Sequence, residues 1–400
     1  MILSYSMGSE VKRMGPRVRV GLEVLISSSY SPIMGMRVGL LTNQTGVTGD
    51  LRHCIDLLHG APEVRLAALF SPEHGLWGDI QDAIPIESQI DGKTGLPIYS
   101  LYRGAEGSGM ELPGDLDALL LDVQDVGVRY YTYIYTMSYA MEAASKAGVR
   151  FLVLDRPNPI NGVALEGNIL NPLFSSPVGR YPIPVRHGMT VGELALLFNE
   201  EFGIGADLEV IRMEGWSREL WYDETGLLWI QPSPNMPTLE TATIYPGTCL
   251  LEGTNVSEGR GTTKPFEVIG APWIDSSRLA LELSGRRIPG ALFRECSFTP
   301  TFSKYSQERC RGVQIHLRNR RIYKPFEAGL HIIDSILTLH PEDFEWVKKG
   351  PYHYFDLLTG TDKIREALSR GTPVDDIVGG FQEELIDFAE MREGYLLYPK

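Results

Sequence analysis

Cations are in short supply in this chain: 37 Lys and Arg stand against 51 Asp and Glu, a formal net charge of -14. A general nucleic-acid binder needs a net or local excess of positive charge, so that class is excluded, and an anionic ligand would need a local arginine cluster. Cysteine is scarce as well. Cys54, Cys249, Cys296 and Cys310 are scattered without C-x-x-C spacing, which argues against a zinc site and against a disulfide framework. Reduced, structural thiols are expected. No stretch reaches the roughly 18 apolar residues of a membrane span, and the opening "MILSYSMGSEVKRMG" lacks the apolar core of a signal peptide; a cytoplasmic protein with no membrane partner is expected. Also missing are G-x-G-x-x-G between a strand and a helix, G-x-x-x-x-G-K-[ST], H-E-x-x-H and G-x-S-x-G. Dinucleotide enzymes, P-loop NTPases, zincins and α/β-hydrolases lose weight accordingly, and neither a metal nor an organic cofactor is expected.

What is present suits a large folded core. The 400 residues are 43% hydrophobic and 22% charged, enough for two domains. Between residues 18 and 155, β-like and helix-like runs alternate, the pattern of a parallel sheet with crossover helices. "MRVGLLTNQTG" reads as a strand, "LRHCIDLLHG" as a short helix closed by Gly60, "VRLAALF" as a second strand and "LPIYSLY" as a weaker third. "LDALLLDVQD" is a fourth, "TYIYTMSYAMEAASKAG" a helix with a glycine stop, and "VRFLVLDRPNP" a fifth strand. Further on, Thr190 and Glu193 have capping-box spacing, which gives Glu193 a structural role. "WIQPSPNMPTLETATIYPG" is too rich in proline for a helix, and a long glycine-rich region follows that carries Glu252, Glu258 and Arg260. Past Trp273 the texture turns to mixed strands and helices, ending in one helix over "DDIVGGFQEELIDFAEMREGYLLY". The expected division is residues 17–270 and 271–400.

Polar clusters follow the strands: Asn43-Gln44, Glu73-His74 in "FSPEHGLWGD", Asp122 to Asp125, and Asp155-Arg156-Pro-Asn158. Ligands of open α/β sheets bind outside the carboxyl ends of the strands, so these clusters point to a site. Aromatic residues such as Trp77, Tyr130, Tyr131, Tyr133 and Trp229 accompany them. Carboxylates beside aromatic surfaces suit carbohydrate chemistry, because a glycosidase needs an acid for the leaving oxygen and carboxylates for an oxocarbenium-like transition state.

Six stretches together carry a resemblance: "FSPEHGLWGD", "DVQDVGVRYYTYIYT", "LDRPNPING", "VRHGMTVGELA", "PSPNMPTLETATIYPGTCLLEGTNVSEGRGTTKPFEVIGAPW" and "FDLLTGTD...EGYLLYP". The chain resembles the NamZ-type exo-β-N-acetylmuramidases from about Gly21 to Tyr398. The resemblance implies an α/β protein with a Rossmann-like parallel-sheet catalytic domain and a smaller C-terminal α+β auxiliary domain. It also implies release of terminal N-acetylmuramic acid from peptidoglycan fragments, and it puts the family's EHG glutamate on Glu73.

Glu73 is therefore the expected general acid/base. His74 either orients Glu73 or bonds across its loop. Of Asp122 and Asp125, three residues apart, at most one is expected to face substrate while the other holds backbone amides. His187 is a ligand contact or a capped histidine. Arg260, then Arg186 and Arg129, are candidate partners for the lactyl carboxylate of muramic acid, since guanidinium binds carboxylate in bidentate fashion; alternatively Arg260 pairs with Glu252 or Glu258 and stiffens its own loop. Asn235 either holds the 2-acetamido group or serves as a turn residue. Asn43, Tyr130, Glu252 and Glu258 complete the expected substrate surface. Two competing functions remain at this point: a non-catalytic muropeptide-binding protein, and an amidase or esterase, for which no nucleophile motif is found.

Overall fold

The computed structural model describes residues 17–80, 89–100 and 112–400. After a short helix α1 (Gly21–Ser27), the apolar runs become β1 (Arg37–Thr42), β2 (Arg65–Ser71), β3 (Gln89–Ile90), β4 (Pro97–Ser100), β5 (Ala118–Asp122) and β6 (Arg150–Leu154). Helix α2 (Cys54–His59) lies between β1 and β2, and α3 (Tyr133–Ala147) between β5 and β6. A small ribbon of β7 (Glu166–Ile169) and β8 (Pro184–Arg186) precedes α4 (Val191–Glu201) and β9 (Leu208–Ile211). The main sheet runs β3-β4-β2-β1-β5-β6-β9. Every pair is parallel except β3 with β4. The chain leaves β1 toward β2 and later crosses to β5 on its other side, so the order reverses at β1, where such sheets open a crevice.

The strands read as unbroken apolar runs because both faces of the sheet are covered. Leu119 and Leu121 of β5 join one buried cluster with Ile134, Met137 and Met141 of α3. Leu120 points the other way, into a second cluster with Leu22, Leu25, Ile55 and Leu58 of α1 and α2. Each such fully buried aliphatic side chain contributes about 1.5–3 kcal/mol. Helix α3 stops where the sequence places its glycine: Gly148 has φ +67°, and its N–H reaches the carbonyls of Ala144 and Ser145. The Thr190–Glu193 capping box forms at the start of α4, with Thr190 N–H donating to Glu193 Oε2 at 2.9 Å and Glu193 N–H to Thr190 Oγ1 at 3.2 Å.

The proline-rich stretch departs from expectation. Leu239–Thr248 is a helix, α5, with Thr238 as its cap (Thr241 N–H to Thr238 Oγ1, 3.1 Å) and Pro246 inside its last turn. Its glycine lies against α7 (Pro325–Leu339) so closely that a Cβ on Gly247 would fall 2.0 Å from the Pro325 carbonyl oxygen. This tertiary contact outweighs the local cost of proline.

The second lobe holds an antiparallel sheet β10-β12-β11, built from β10 (Val268–Ala271), β11 (Ala291–Phe298) and β12 (Cys310–Leu317), with α6 (Ser276–Gly285) and α7 beside it. The 270/271 division falls inside β10. One buried cluster runs from Phe151 and Val153 of the main sheet to Val313 and Ile332 of this lobe. The C-terminal stretch is two helices rather than one, Val374–Gly379 and Gln382–Glu393, parted at the Gly379-Gly380 pair. Beyond them the chain returns to the main sheet: Tyr398 donates its hydroxyl to Asp155 Oδ2 at 2.5 Å and accepts from the Met213 N–H at 3.0 Å. Leu397 N–H reaches Glu193 Oε1 at 2.8 Å, and Arg218 N–H the Pro399 carbonyl at 2.9 Å. The four cysteines are free. Among the described residues no helix is long and apolar enough to cross a membrane.

Candidate active site

Strand β2 ends in a polar turn because its next residues cannot continue a buried strand. His74, at φ +72°, and Gly75, at φ +81°, both adopt the left-handed conformation. For a non-glycine residue this is an uncommon state, found where surrounding structure enforces it. Here the enforcement is visible. His74 Nδ1 donates to the Ile80 carbonyl at 2.8 Å, and Ile80 N–H returns to the His74 carbonyl at 3.3 Å. The turn presents Glu73 to a cleft of about 180 Å³ between the two lobes. Thr132, the residue before α3, does not cap its own helix; its hydroxyl donates to Glu73 Oε2 at 2.7 Å.

The cleft wall is aromatic. Tyr245 meets Tyr130, Tyr131 and Phe266 edge to face at ring distances of 5.7, 6.0 and 4.8 Å. Tyr130 donates its hydroxyl to the Pro246 carbonyl, which ties the tyrosine run after β5 to the end of α5. On the side of the second lobe, Arg260 pairs with Glu252 at 2.8 Å and Glu258 at 3.4 Å and lies over the Phe266 ring at 5.0 Å. Of the residues expected from sequence, Glu73, His74, Tyr130, Asn235, Glu252 and Arg260 line this one cleft.

The remaining expected residues do not line it, and each has a physical reason. Asn43 is a turn residue whose Oδ1 accepts from Thr45 N–H and Oγ1 at 3.0 and 2.6 Å. Asp122 is fully buried in an ion pair with Arg156 at 2.6 Å. Asp125 is buried too, its Oδ2 accepting from Gly127 N–H at 2.6 Å. Burial raises its carboxyl to about 7 against the pull of the Gly127 and Val126 amides. His187 accepts at Nδ1 from Met189 N–H at 3.2 Å, and its Nε2 lies 4.0 Å from Asp125 Oδ2. Burial, then Arg392 and Arg186, pushes it down to about 3, so it is a neutral core histidine.

Both of the other arginine candidates are also corrected to structural roles. Arg129 spends its two terminal nitrogens on the carbonyls of Asn168, Ile183, Leu358 and Thr359 at 2.7–3.1 Å. Arg186 is engaged with Glu166 at 2.6 Å and with the Ile160 carbonyl. Glu258 is 2% exposed and held by Lys304 at 3.1 Å as well as by Arg260.

Sequence reasoning missed Thr132, Tyr245, Phe266, Lys349 and Tyr354, all on the cleft. Thr132 had a signal, a hydroxyl directly before a helix and after a tyrosine pair. Lys349 and Tyr354 had none, because they lie far along the chain, on a short hairpin and at the start of the helix that follows it. A larger groove of about 640 Å³ runs past Asn168 and Phe388, away from Glu73.

A strand-end glutamate among aromatic rings, at the crevice of a doubly covered parallel sheet, is the arrangement of an α/β glycoside hydrolase. Comparison with known proteins narrows that class. Models described as the N-terminal and C-terminal parts of exo-β-N-acetylmuramidase NamZ match residues 38–240 and 243–398. The chain is 48% identical over 383 residues to the peptidoglycan β-N-acetylmuramidase NamZ of Bacillus subtilis (strain 168), covering 96% of this chain and 92% of that one. Two crystal structures of DUF1343-family proteins from Bacteroides fragilis NCTC 9343 share the fold. One has a TM-score of 0.87 at 37% identity, covering 96% of this chain and 99% of its own; the other 0.76 at 32%, covering 96% and 100%. The chain belongs to the NamZ family of exo-β-N-acetylmuramidases.

Proposed function

We propose that Glu73 is the acid/base of an exo-acting glycoside hydrolase that releases terminal β-linked N-acetylmuramic acid from peptidoglycan fragments. The observation that carries this reading is the presentation of Glu73 at the lobe junction, on a left-handed turn, with Thr132 holding one carboxyl oxygen. Glu73 gives its proton to the leaving glycosidic oxygen and recovers one from the attacking water. Glu252, the other expected carboxylate on the cleft, has its charge held by Arg260 at 2.8 Å and faces the positive charge that grows on the sugar ring. The volume of about 180 Å³ supports an exo mode, one terminal sugar at a time. It lies below the roughly 300–1,000 Å³ usual for larger ligands. Asn235 on the cleft is the donor assigned to the 2-acetamido group.

The Bacillus relative is named as an enzyme, which leaves a purely binding role without support. An amidase or esterase would need a thiolate or an activated hydroxyl. The cleft cysteine, Cys249, has its thiol pushed well up by burial and then by Glu252, and its Sγ contacts Glu252 Oε1 at 3.6 Å. Free thiols are usual in a reducing compartment, and we place the site of action in the cytoplasm on that ground. Incubation with a chromogenic β-N-acetylmuraminide and its glucosaminide counterpart tests the reading: turnover of the first is expected, and turnover of neither refutes it.

A further inference from the structure

Among the described residues, two cations line the Glu73 cleft, Arg260 and Lys349. They are in different states. Arg260 is tied by two carboxylates, Glu252 at 2.8 Å and Glu258 at 3.4 Å, and covers the Phe266 ring. An anion approaching it would have to compete with charges already in place. Lys349 sits on a two-residue strand, Lys348–Lys349, paired with Tyr352–His353 across a turn in which Gly350 has φ +63°. Successive side chains of a strand point to opposite sides, so Lys348 and Lys349 diverge. Lys349 Nζ lies 4.5 Å over the ring of Tyr354, and among the described residues it makes no ion pair. The same Tyr354 hydroxyl is raised by burial and then by the charges of Glu252, Cys249 and, less strongly, Glu73, which ties the ring under Lys349 to the catalytic carboxylate's surroundings.

In a protein of net charge -14, a cation left without a carboxylate on the wall of the cleft is a position made for an anion that arrives with the ligand. The aromatic face fixes the ammonium sideways while leaving its N–H donors available, which a carboxylate partner would not. N-acetylmuramic acid differs from N-acetylglucosamine by the carboxylate of its lactyl ether at C3. We propose that Lys349, seated on Tyr354, binds this lactyl carboxylate and is the residue by which the enzyme prefers muramic acid to glucosamine. The proposal rests on the function given above, and it transfers to Lys349 the role for which Arg260 was the first candidate from sequence.

The test uses the full-length protein and three chromogenic β-glycosides: the N-acetylmuraminide, the same sugar with its lactyl carboxylate converted to the carboxamide, and the N-acetylglucosaminide. For Lys349→Met, which keeps length and removes charge, kcat/KM on the muraminide is expected to fall about 10- to 100-fold, mainly through KM, the usual scale for losing a charged hydrogen bond to ligand. The carboxamide and glucosaminide are expected to change less than about twofold, so that the variant no longer distinguishes acid from amide. Lys349→Arg should restore most of the preference. An unchanged acid-to-amide ratio in Lys349→Met, or an equal loss on all three substrates, overturns the assignment while leaving the glycosidase reading intact. Failure of the wild-type protein to turn over the muraminide overturns both.

Discussion

Replacing Asp125 with Asn should alter how stability depends on pH far more than it alters turnover. In the folded protein this carboxyl is raised from 3.8 to about 7, chiefly because burial disfavours its charged form. The folded state therefore holds the proton more tightly than the unfolded chain does. A group raised in this sense contributes stability that is fully present below about pH 4 and is lost as pH climbs through about 7. A shift of about 3 units at about 1.4 kcal/mol each amounts to roughly 4 kcal/mol, an upper figure. Asn cannot ionise and keeps the shape, so the variant lacks this loss. His187 acts in the opposite direction: lowered to about 3, it contributes stability present above about 6.5 and lost as pH falls, and the variant retains that slope. Urea unfolding of both proteins from about pH 4.5 to about 8.5 isolates Asp125 as the difference between them. The variant should gain on wild type by a few kcal/mol across that range, whatever the offset at the acid end. A difference that stays flat would mean that Asp125 is ionised throughout, and the account of it as a buried neutral acid would be wrong.

Glu73→Gln should fold normally and lose about 100-fold or more in kcat on the muraminide, the scale of losing acid–base catalysis, and unchanged turnover removes Glu73 from the mechanism. Arg260→Ala should lose activity equally on muraminide and glucosaminide and unfold more easily by about 2–3 kcal/mol. It strips one partner from Glu252 and from the 2%-exposed Glu258, which keeps Lys304. A loss confined to the muraminide would instead make Arg260 the lactyl contact. Arg129→Met should cost about 3 kcal/mol in thermal unfolding, because four buried carbonyls, from Asn168 and Ile183 in the first lobe and Leu358 and Thr359 in the second, each lose a donor at once, Ile183 and Thr359 keeping a second one from Leu170 and Asn168; an unaffected midpoint would refute its role as a tie between lobes.

The sheet was legible because burial on both faces writes itself as runs such as "LDALLLD", and α3 because Gly148 ends it. The Glu73 turn was legible for the complementary reason: a carboxylate at the end of an apolar strand has to leave the core. The same logic misled at Asp122, while Asp125 and His187 took their structural alternatives, each accepting a backbone N–H. Strand ends are also where buried polar groups find one another, and the partner that decides between ligand and structure lies elsewhere in the chain. Asp122 meets Arg156, and Arg129 meets Leu358 and Thr359 some 230 residues away. No local spacing carries that information. Helix α5 was hidden for a related reason, since the contact of Gly247 with the Pro325 carbonyl is invisible until α7 is in place. Lys349 is an exposed lysine in a two-residue strand, and only Tyr354 beneath it and the cleft beside it give it meaning.

The return of the chain to its first sheet bears on how this protein is made. Asp155 is 0% exposed at the end of β6, and the hydroxyl it needs, on Tyr398, is synthesised 243 residues later. A nascent first lobe emerging from the ribosome carries that carboxylate with three of its four donors, Arg156, Thr190 and Gly192, in place and the fourth missing, with Leu397 and Pro399 also absent from Glu193 and Arg218. The two halves matched by the family models at 38–240 and 243–398 are therefore joined by hydrogen bonds from residues 397–399 to the first. The first becomes complete when residues 397–399 have been made and close over it, so a gene cut between the two would yield a first half with an open seam.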